Sequence, residues 1–304
     1  MGKPDQEPVT RAGYVLLAGL PNVGKSTLLN ALIGENLSIV TSKAQTTWQR
    51  VVGIRTDPDT QMIFLDTPGI LSADNLFQRS MLAEADRARE EADVAVCLVD
   101  GLLHSRGKSE ERVFKFFDDI TCPKVFAINK IDGASDVETI RSSITERFGT
   151  EPLLISAKTG DGLEELLGYL RSNLPTSPFL FPPDELAQAP TRFFVQEMIR
   201  ETVFEQFEQE IPYSAAVQID DFREGQKPIY IAATVFVERK SQKGMVVGKK
   251  GAAIRRLGAD SRAKIEHFLG SSVYLDLWVK VAAGWRRDRK GLKRFGYRVP
   301  DELV

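Results

Sequence analysis

The 304 residues are enough for two domains of ordinary size, each with its own core. A content of 42% hydrophobic and 27% charged residues excludes a disordered chain. No apolar run approaches the roughly 18 residues a spanning helix needs, and the stretch MGKPDQEPVTRA has no apolar segment to act as a secretion signal. The net charge of −2 conceals a split, because residues 239–298 carry 17 Lys and Arg against 4 Asp and Glu, whereas residues 1–238 carry 23 against 36. One end of the chain should therefore attract polyanions while the rest does not.

In chain order, YVLLAGL (14–20) reads as a buried strand, followed by a Gly/Pro turn and a helix from KSTLLNALIG. RVVGIRT (50–56) and QMIFLDT (61–67) form a hairpin around the turn DPDT. VAVCLVD (94–100), KVFAINK (124–130) and PLLISA (152–157) are further apolar, β-branched runs, each followed by turn residues and amphipathic sequence. Strands alternating with helices predict an α/β domain, a mostly parallel sheet with helices on both faces and one antiparallel edge strand. The segment 174–190 holds five of the 15 prolines. Dense proline removes donors and extends the chain, so the expected division is a first domain over 1–178, a linker over 179–190 and a second domain over 191–304.

The second domain opens with an amphipathic helix, TRFFVQEMIRETVFEQFEQE. Strands follow at YSAAVQID (213–220) and IYIAATVFVER (229–239), and a glycine turn then leads into the helix AAIRRLGADSRAKIEHFL. SVYLDLWVKV (272–281) alternates as a half-buried strand, and WRRDRKGLKRFGYR is read as a basic helix. Cys97 lies in an apolar run and reads as core. With Cys122 as the other cysteine and no CxxC spacing, a reducing, cytoplasmic compartment is expected. His104 and His267 are isolated and carry no metal or catalytic reading.

Gly19-Leu20-Pro21-Asn22-Val23-Gly24-Lys25-Ser26, followed by Thr27, matches GxxxxGK[ST] between a strand and a helix. Such a P-loop turns its backbone N–H groups inward around phosphates. Lys25 reaches the β- and γ-phosphates, and the Ser26 hydroxyl ligates Mg²⁺. Asp66-Thr67-Pro68-Gly69, followed by Ile70, ends an apolar run. Asp66 at a strand end can hold Mg²⁺ through a water while the Gly69 N–H meets the γ-phosphate. Asn129-Lys130-Ile131-Asp132 selects the base. A carboxylate at Asp132 accepts from guanine N1–H and the 2-amino group, donors that adenine lacks. Asn129 braces neighbouring loops, the Lys130 stem covers the base, and Ser156-Ala157-Lys158 offers a backbone N–H to the guanine carbonyl oxygen. Four such elements in order, each at a strand end, point to GTP and GDP as ligands. Of the pair Thr46-Thr47, Thr47 is the expected switch threonine that completes the Mg²⁺ shell.

In the second domain, Gly248-Lys249-Lys250-Gly251 precedes a helix inside the basic segment. A GXXG loop lets a nucleotide chain pass close to the backbone, with Lys249 and Lys250 on its phosphates. Met245, Val247 and Ile254 are the expected groove for bases, and Lys243, Arg255 and Arg256 add positive charge. The basic helix after Trp285 is open to two readings, RNA phosphate or an acidic membrane surface, of which RNA is favoured.

GLPNVGKST, QTT, DTPG, NKID and SAK resemble the guanine-nucleotide motifs of the translation-factor-related GTPases. With the GXXG-bearing domain behind them, the chain resembles the Era family from about Tyr14 to Arg298. The resemblance implies a P-loop G domain followed by an α+β type II KH domain. It also implies slow GTP hydrolysis, and binding to 16S ribosomal RNA near its 3′ end during maturation of the 30S subunit precursor. It further implies a monomer, with a peripheral contact at the inner face of the cell membrane left open. Asn22 is similar to the phosphate-loop asparagine that coordinates K⁺ in related GTPases, which makes K⁺ a candidate cofactor beside Mg²⁺. Two positions depart from wider patterns. Trp48 stands where the family usually has Arg, and Ile70 stands where Ras-type proteins carry a water-orienting Gln, so Lys25 and Thr47 are left as the expected catalytic residues. The rival readings are a related GTPase acting on tRNA or the large subunit, and an RNA-binding adaptor with vestigial nucleotide binding.

Overall fold

The computed structural model describes residues 9–41, 43–70, 73, 75–102 and 108–299, so His104 lies outside the described residues. The chain forms two compact units. The first comprises Met1–Ser38, Thr47–Ser72 and Met81–Gln188, and the second comprises Ile39–Thr46, Ala73–Ser80 and Ala189–Val304.

The elements of the first unit are β1 (Arg11–Gly19), α1 (Lys25–Ile33), β2 (Val51–Thr56), β3 (Thr60–Asp66), α2 (Leu76–Glu91, entered from the second unit), β4 (Val94–Asp100), α3 (Lys108–Asp118), β5 (Lys124–Asn129), α4 (Glu138–Phe148), β6 (Leu153–Leu154) and α5 (Leu163–Asn173). The six strands lie in the order β2-β3-β1-β4-β5-β6. Only the β2–β3 hairpin is antiparallel. Every residue of β3 is buried, as expected for a strand covered on both faces. Leu16 and Ala18 of β1 join a cluster with Phe117, Phe126 and Ile144, while the alternate residues Val15 and Leu17 are buried on the opposite face. Phe126 stacks on Phe148 at a centroid distance of 4.3 Å, a ring pair worth about 1 kcal/mol beyond its buried area. The run 152–157 yields only the two-residue β6, because the chain leaves the sheet at once to build the loop carrying Ser156.

The boundary between the units falls after Gln188, within the stretch expected to be a linker. Residues 180–188 are tied to the first unit by the amides that the prolines leave free. The Gln61 Oε1 accepts from Leu180 N–H at 2.8 Å and Phe181 N–H at 3.0 Å, and its Nε2 donates to the Phe181 carbonyl at 2.9 Å. Further along, Ile54 N–H donates to the Leu186 carbonyl at 2.8 Å and Gln188 N–H to the Val52 carbonyl at 3.2 Å, so the segment lies along the free edge of β2.

The second unit contains α6 (Thr191–Gln206), α7 (Ile211–Ser214), β7 (Ala216–Arg223), β8 (Ile229–Val237), α8 (Lys240–Val247), α9 (Ala252–Leu269), β9 (Val273–Val281) and α10 (Arg289–Arg294). Its sheet has the order β7-β8-β9, with β7–β8 antiparallel and β8–β9 parallel. Val195, Ile199 and Val203 of α6, Val246 of α8 and Leu257 and Ile265 of α9 pack on the odd-numbered residues of β8 and β9. The helices therefore cover one face of the sheet. Lys43 donates to the carbonyls of Phe204 and Phe207 at the end of α6, and buried Arg200 bonds Glu197 and the Thr46 carbonyl. The apolar run 245–247 is the last turn of α8, which the irregular sequence KSQKGMVV hides from periodicity. The expected basic helix at 285–298 is a 3-10 turn, Trp285–Arg287, followed by the short α10. Among the described residues no helix is long and apolar enough to cross a membrane.

Candidate functional site

In the first unit, Gly19, Asp66, Asp100 and Asn129 close four adjacent strands at their carboxyl ends, and Ser156 follows β6. In a doubly wound sheet this is the edge where ligands bind. The loop from Gly19 to Gly24 leads straight into α1. Gly24 has φ 100°, and a Cβ there would sit 2.3 Å from Asn129 Nδ2, so only glycine lets the two loops approach.

Lys25 is 6% exposed, and its Nζ donates to the carbonyls of Gly19 at 3.1 Å and Leu20 at 2.9 Å. Burial lowers its pKa to about 8, with the Asp66 charge opposing. Burial likewise pushes the Asp66 carboxyl up, against the pull of Lys25 and the Ser26 and Thr47 hydroxyls. Ser26 Oγ donates to Asp66 Oδ2 at 2.7 Å and lies 2.9 Å from Thr47 Oγ1, which is 3.5 Å from the same carboxylate oxygen. Asp66 Oδ1 is buried and accepts no hydrogen bond. Three hard oxygen donors converging beside an orphaned carboxylate oxygen fit Mg²⁺, reached directly or through water. Of the two switch candidates, the side chain of Thr47 joins this cluster.

Thr67 is turned away, its hydroxyl bonded to the Leu17 carbonyl at 3.2 Å. Pro68 and Gly69 pass over the phosphate loop, and Ile70 N–H donates to the Gly19 carbonyl at 3.2 Å. The Ile70 side chain is packed in the core, so the position of the Ras-type Gln holds no polar group toward the site. Trp48 is also buried.

The base-recognition loops are tied together from within. Asn129 Nδ2 donates to the Val23 carbonyl at 2.8 Å, and its Oδ1 accepts from Ala157 N–H at 2.9 Å. Ser156 Oγ donates to Asp132 Oδ1 at 2.8 Å, fixing a carboxylate that is otherwise exposed. Ser156 N–H donates to the Asp161 carbonyl at 2.9 Å, so two of the three amides of Ser156-Ala157-Lys158 are engaged within the loops. Ile131 N–H bonds the Ile155 carbonyl at 3.3 Å, which draws the two loops side by side. Lys130 reaches the Asn22 carbonyl and Asp100 Oδ2, the latter at 2.7 Å. Asp100 is a site residue that sequence reasoning missed. Its only signal was an acid closing the strand next to β5.

In the second unit, the 3-10 turn Lys249–Gly251 links α8 to α9. Gly248 has φ 70°, and a Cβ there would meet Ala253 Cβ at 2.7 Å. Lys249 and Lys250 are exposed, and Lys250 takes φ 51°. Lys243, Arg255 and Arg256 are exposed around them. Met245 is 56% exposed on α8, whereas Val247 and Ile254 are partly buried against the core. These residues ring the α8–α9 junction with a positive rim and an apolar floor, the composition a single strand of nucleic acid requires. Trp285 is buried with its Nε1 on the Ser214 carbonyl at 3.0 Å, and Phe295 and Tyr297 are buried as well. The apolar residues of the C-terminal segment are thus packed inside the domain, and the side chains it exposes are charged, Asp288 among Arg and Lys.

Residues 14–130 match the family described as 50S ribosome-binding GTPase, and residues 210–286 match the KH domain family. Over 297 residues the chain is 39% identical to the GTPase Era of Geobacter metallireducens, covering 94% of this chain and 98% of the relative. It is 38% identical to the GTPase Era of Halothermothrix orenii, over 95% and 99% of the two chains. Among solved structures, it is similar to an Aquifex aeolicus Era variant bound to GDP and AlF₄⁻, with 36% identity, a TM-score of 0.90 and coverage of 95% and 100%. A second, an Era in complex with MgGDPNP and nucleotides 1506–1542 of 16S ribosomal RNA, shares 35% identity at the same TM-score of 0.90 and the same coverage of 95% and 100%.

Proposed function

The chain belongs to the Era family of GTPases, and from that premise we propose that it is a GTP-hydrolysing switch that binds 16S ribosomal RNA near its 3′ end and assists assembly of the 30S subunit. The observation that carries the nucleotide half is the Ser156–Asp132 bond beside the Asn129 clamp. It presents a fixed carboxylate to the donor edge of guanine, next to a loop built to wrap phosphates. The RNA half rests on the GXXG turn with its ring of cations, and on the relative that holds nucleotides 1506–1542.

Lys25 leaves the Gly19 and Leu20 carbonyls for the β- and γ-phosphates and gains there the negative charge its burial lacks. Asp132 discriminates the base, and Ser26, Thr47 and, through a water, Asp66 would hold Mg²⁺. When bound, that ion neutralises charge building on the phosphate oxygens. With Ile70 in the core, no side chain at that position orients water. Positioning by the loop and the charge of Lys25 carry the rate, which is slow. Asn22 is the residue that would hold K⁺, and turnover compared in KCl and NaCl reads its contribution directly.

The test of the whole reading measures phosphate release from GTP and ATP, with binding of a 16S 3′-end fragment in parallel. GTP-only turnover and tight binding of that fragment are expected. Hydrolysis of ATP at the same rate would overturn the base assignment, and equal affinity for unrelated RNA would overturn the target. The protein acts as a cytoplasmic monomer in this reading.

A further inference from the structure

The sheet of the second unit has a second face, turned away from α6, α8 and α9 and from the GXXG turn. Even-numbered residues of β8 and β9 line it. At one end the chain covers this face itself. Phe236 packs against Phe295 at a centroid distance of 5.1 Å, with the Arg294 guanidinium 4.6 Å above its ring. At the other end Arg223 lies 5.0 Å over the ring of Tyr230 and bonds Asp221 at 2.6 Å. The same arrangement therefore occurs at both ends, an arginine on an aromatic ring, and at the Tyr230 end it carries a carboxylate on its flank.

Beside Tyr230, on β9, Tyr274 is uncovered, and so is Trp278 further along the strand, each 59% exposed. Tyr274 stacks on Tyr230 at 5.9 Å, and the Trp278 indole N–H donates to Asp276 Oδ2 at 3.0 Å. Aromatic ring and carboxylate are again side by side, yet among the described residues no cation lies over either ring. Asp220, bonded to Thr234 at 2.6 Å, adds another acid to this face. Lys280, the next even-numbered residue of β9, and Arg223 are the cations beside these rings, against the carboxylates of Asp220, Asp221 and Asp276, so this stretch carries a small local excess of acid in a domain whose segment 239–298 has 17 basic against 4 acidic residues.

We propose that the outer face of β9 around Tyr274, Asp276 and Trp278 docks an arginine-bearing extended segment of a basic protein partner. Guanidinium groups would sit on the two exposed rings and pair with Asp276, repeating what Arg223 does within the chain. Tyr274 and Trp278 stand about 13 Å apart along the strand, a span matched by every fourth residue of an extended peptide. The patch is on the sheet face opposite the helices, so partner and RNA can be held together.

The test uses the full chain, a fluorescein-labelled peptide of alternating arginine and glycine, its lysine counterpart, and an oligouridine. The arginine peptide should bind more tightly than the lysine peptide. Tyr274→Ala with Trp278→Ala should weaken it about tenfold, while Trp278→Phe, which keeps a ring and guards against a folding artefact, should stay within about twofold. Asp276→Asn should weaken the arginine peptide and flatten its salt dependence, and oligouridine binding should not change in any variant. Peptide affinity unaffected by the double substitution would overturn the proposal. So would loss of oligouridine binding in its place, which would assign the face to RNA.

Discussion

The two sites of this chain are built on opposite plans. At the nucleotide site the recognition groups are buried or bonded to one another before any ligand arrives: Lys25, Asp66, Asn129 and Ser156 are all buried polar residues. Around the GXXG turn, Lys243, Lys249, Lys250, Arg255 and Arg256 point into solvent, and what is constrained is the backbone of the turn, with Gly248, Lys250 and Gly251 at positive φ. A small ligand of fixed shape rewards preorganisation, because unmade buried hydrogen bonds penalise the wrong base. A flexible polyanion rewards mobile charges and a backbone it can approach.

Substitutions at the two sites should therefore fail differently. The largest effect is expected for Asp132→Asn, which removes the acceptor for both guanine donors. GDP affinity should fall by at least about a hundredfold, by calorimetry, with a gain for xanthosine diphosphate. Asn129→Ala leaves the Val23 carbonyl and the Ala157 N–H without their partner. A loss of about 2–3 kcal/mol in GDP binding is expected, with a lower melting temperature of the nucleotide-free protein. If Asn129→Ala were silent, the internal clamp would not be what organises the site.

Lys249→Ala with Lys250→Ala should spare nucleotide binding and reduce the slope of log affinity for RNA against log salt by about 1.4, each lysine releasing about 0.7 of an ion from a single strand. An unchanged slope would take the turn off the phosphates. The smallest effect is a proton. With Lys25 at about pH 8 in the free pocket and higher once phosphates surround it, GDP binding without Mg²⁺ should take up about half a proton at pH 8 and almost none at pH 6.5. Calorimetry in buffers of different ionisation enthalpy reads that uptake. The sign for folding follows. The unfolded chain holds this proton up to the ordinary value of 10.5 while the folded pocket loses it near 8, so stability of the nucleotide-free protein should rise between those pH values.

Much of both sites was legible beforehand because the relevant signals are local. Gly24, Lys25 and Ser26 lie in one turn, Asp132 three residues beyond Asn129, and Lys249 and Lys250 between two glycines. Apolar runs located every long strand, and the spacing of 50–56 and 61–67 was enough to expect the hairpin. Less legible were α8, whose Gly244 and scattered polar residues carry no helical period, and Asp100, whose role exists only because β4 and β5 are neighbours.

By itself, then, the order of residues determined the elements proposed to bind guanine, the glycine turns proposed to grip phosphate, the alternation of strands and helices and the separation of charge. These depend on spacing along a few residues and on backbone permissiveness. Only the tertiary structure decided that Gln61 ties residues 180 and 181 to β3, that residues 39–46 belong with α6 rather than with the sheet they adjoin, and that Tyr274 and Trp278 stay bare while Phe236 is covered. Each of those outcomes depends on which distant segment reaches an edge or face first, and pairing between segments so far apart in sequence leaves no periodic trace in the chain.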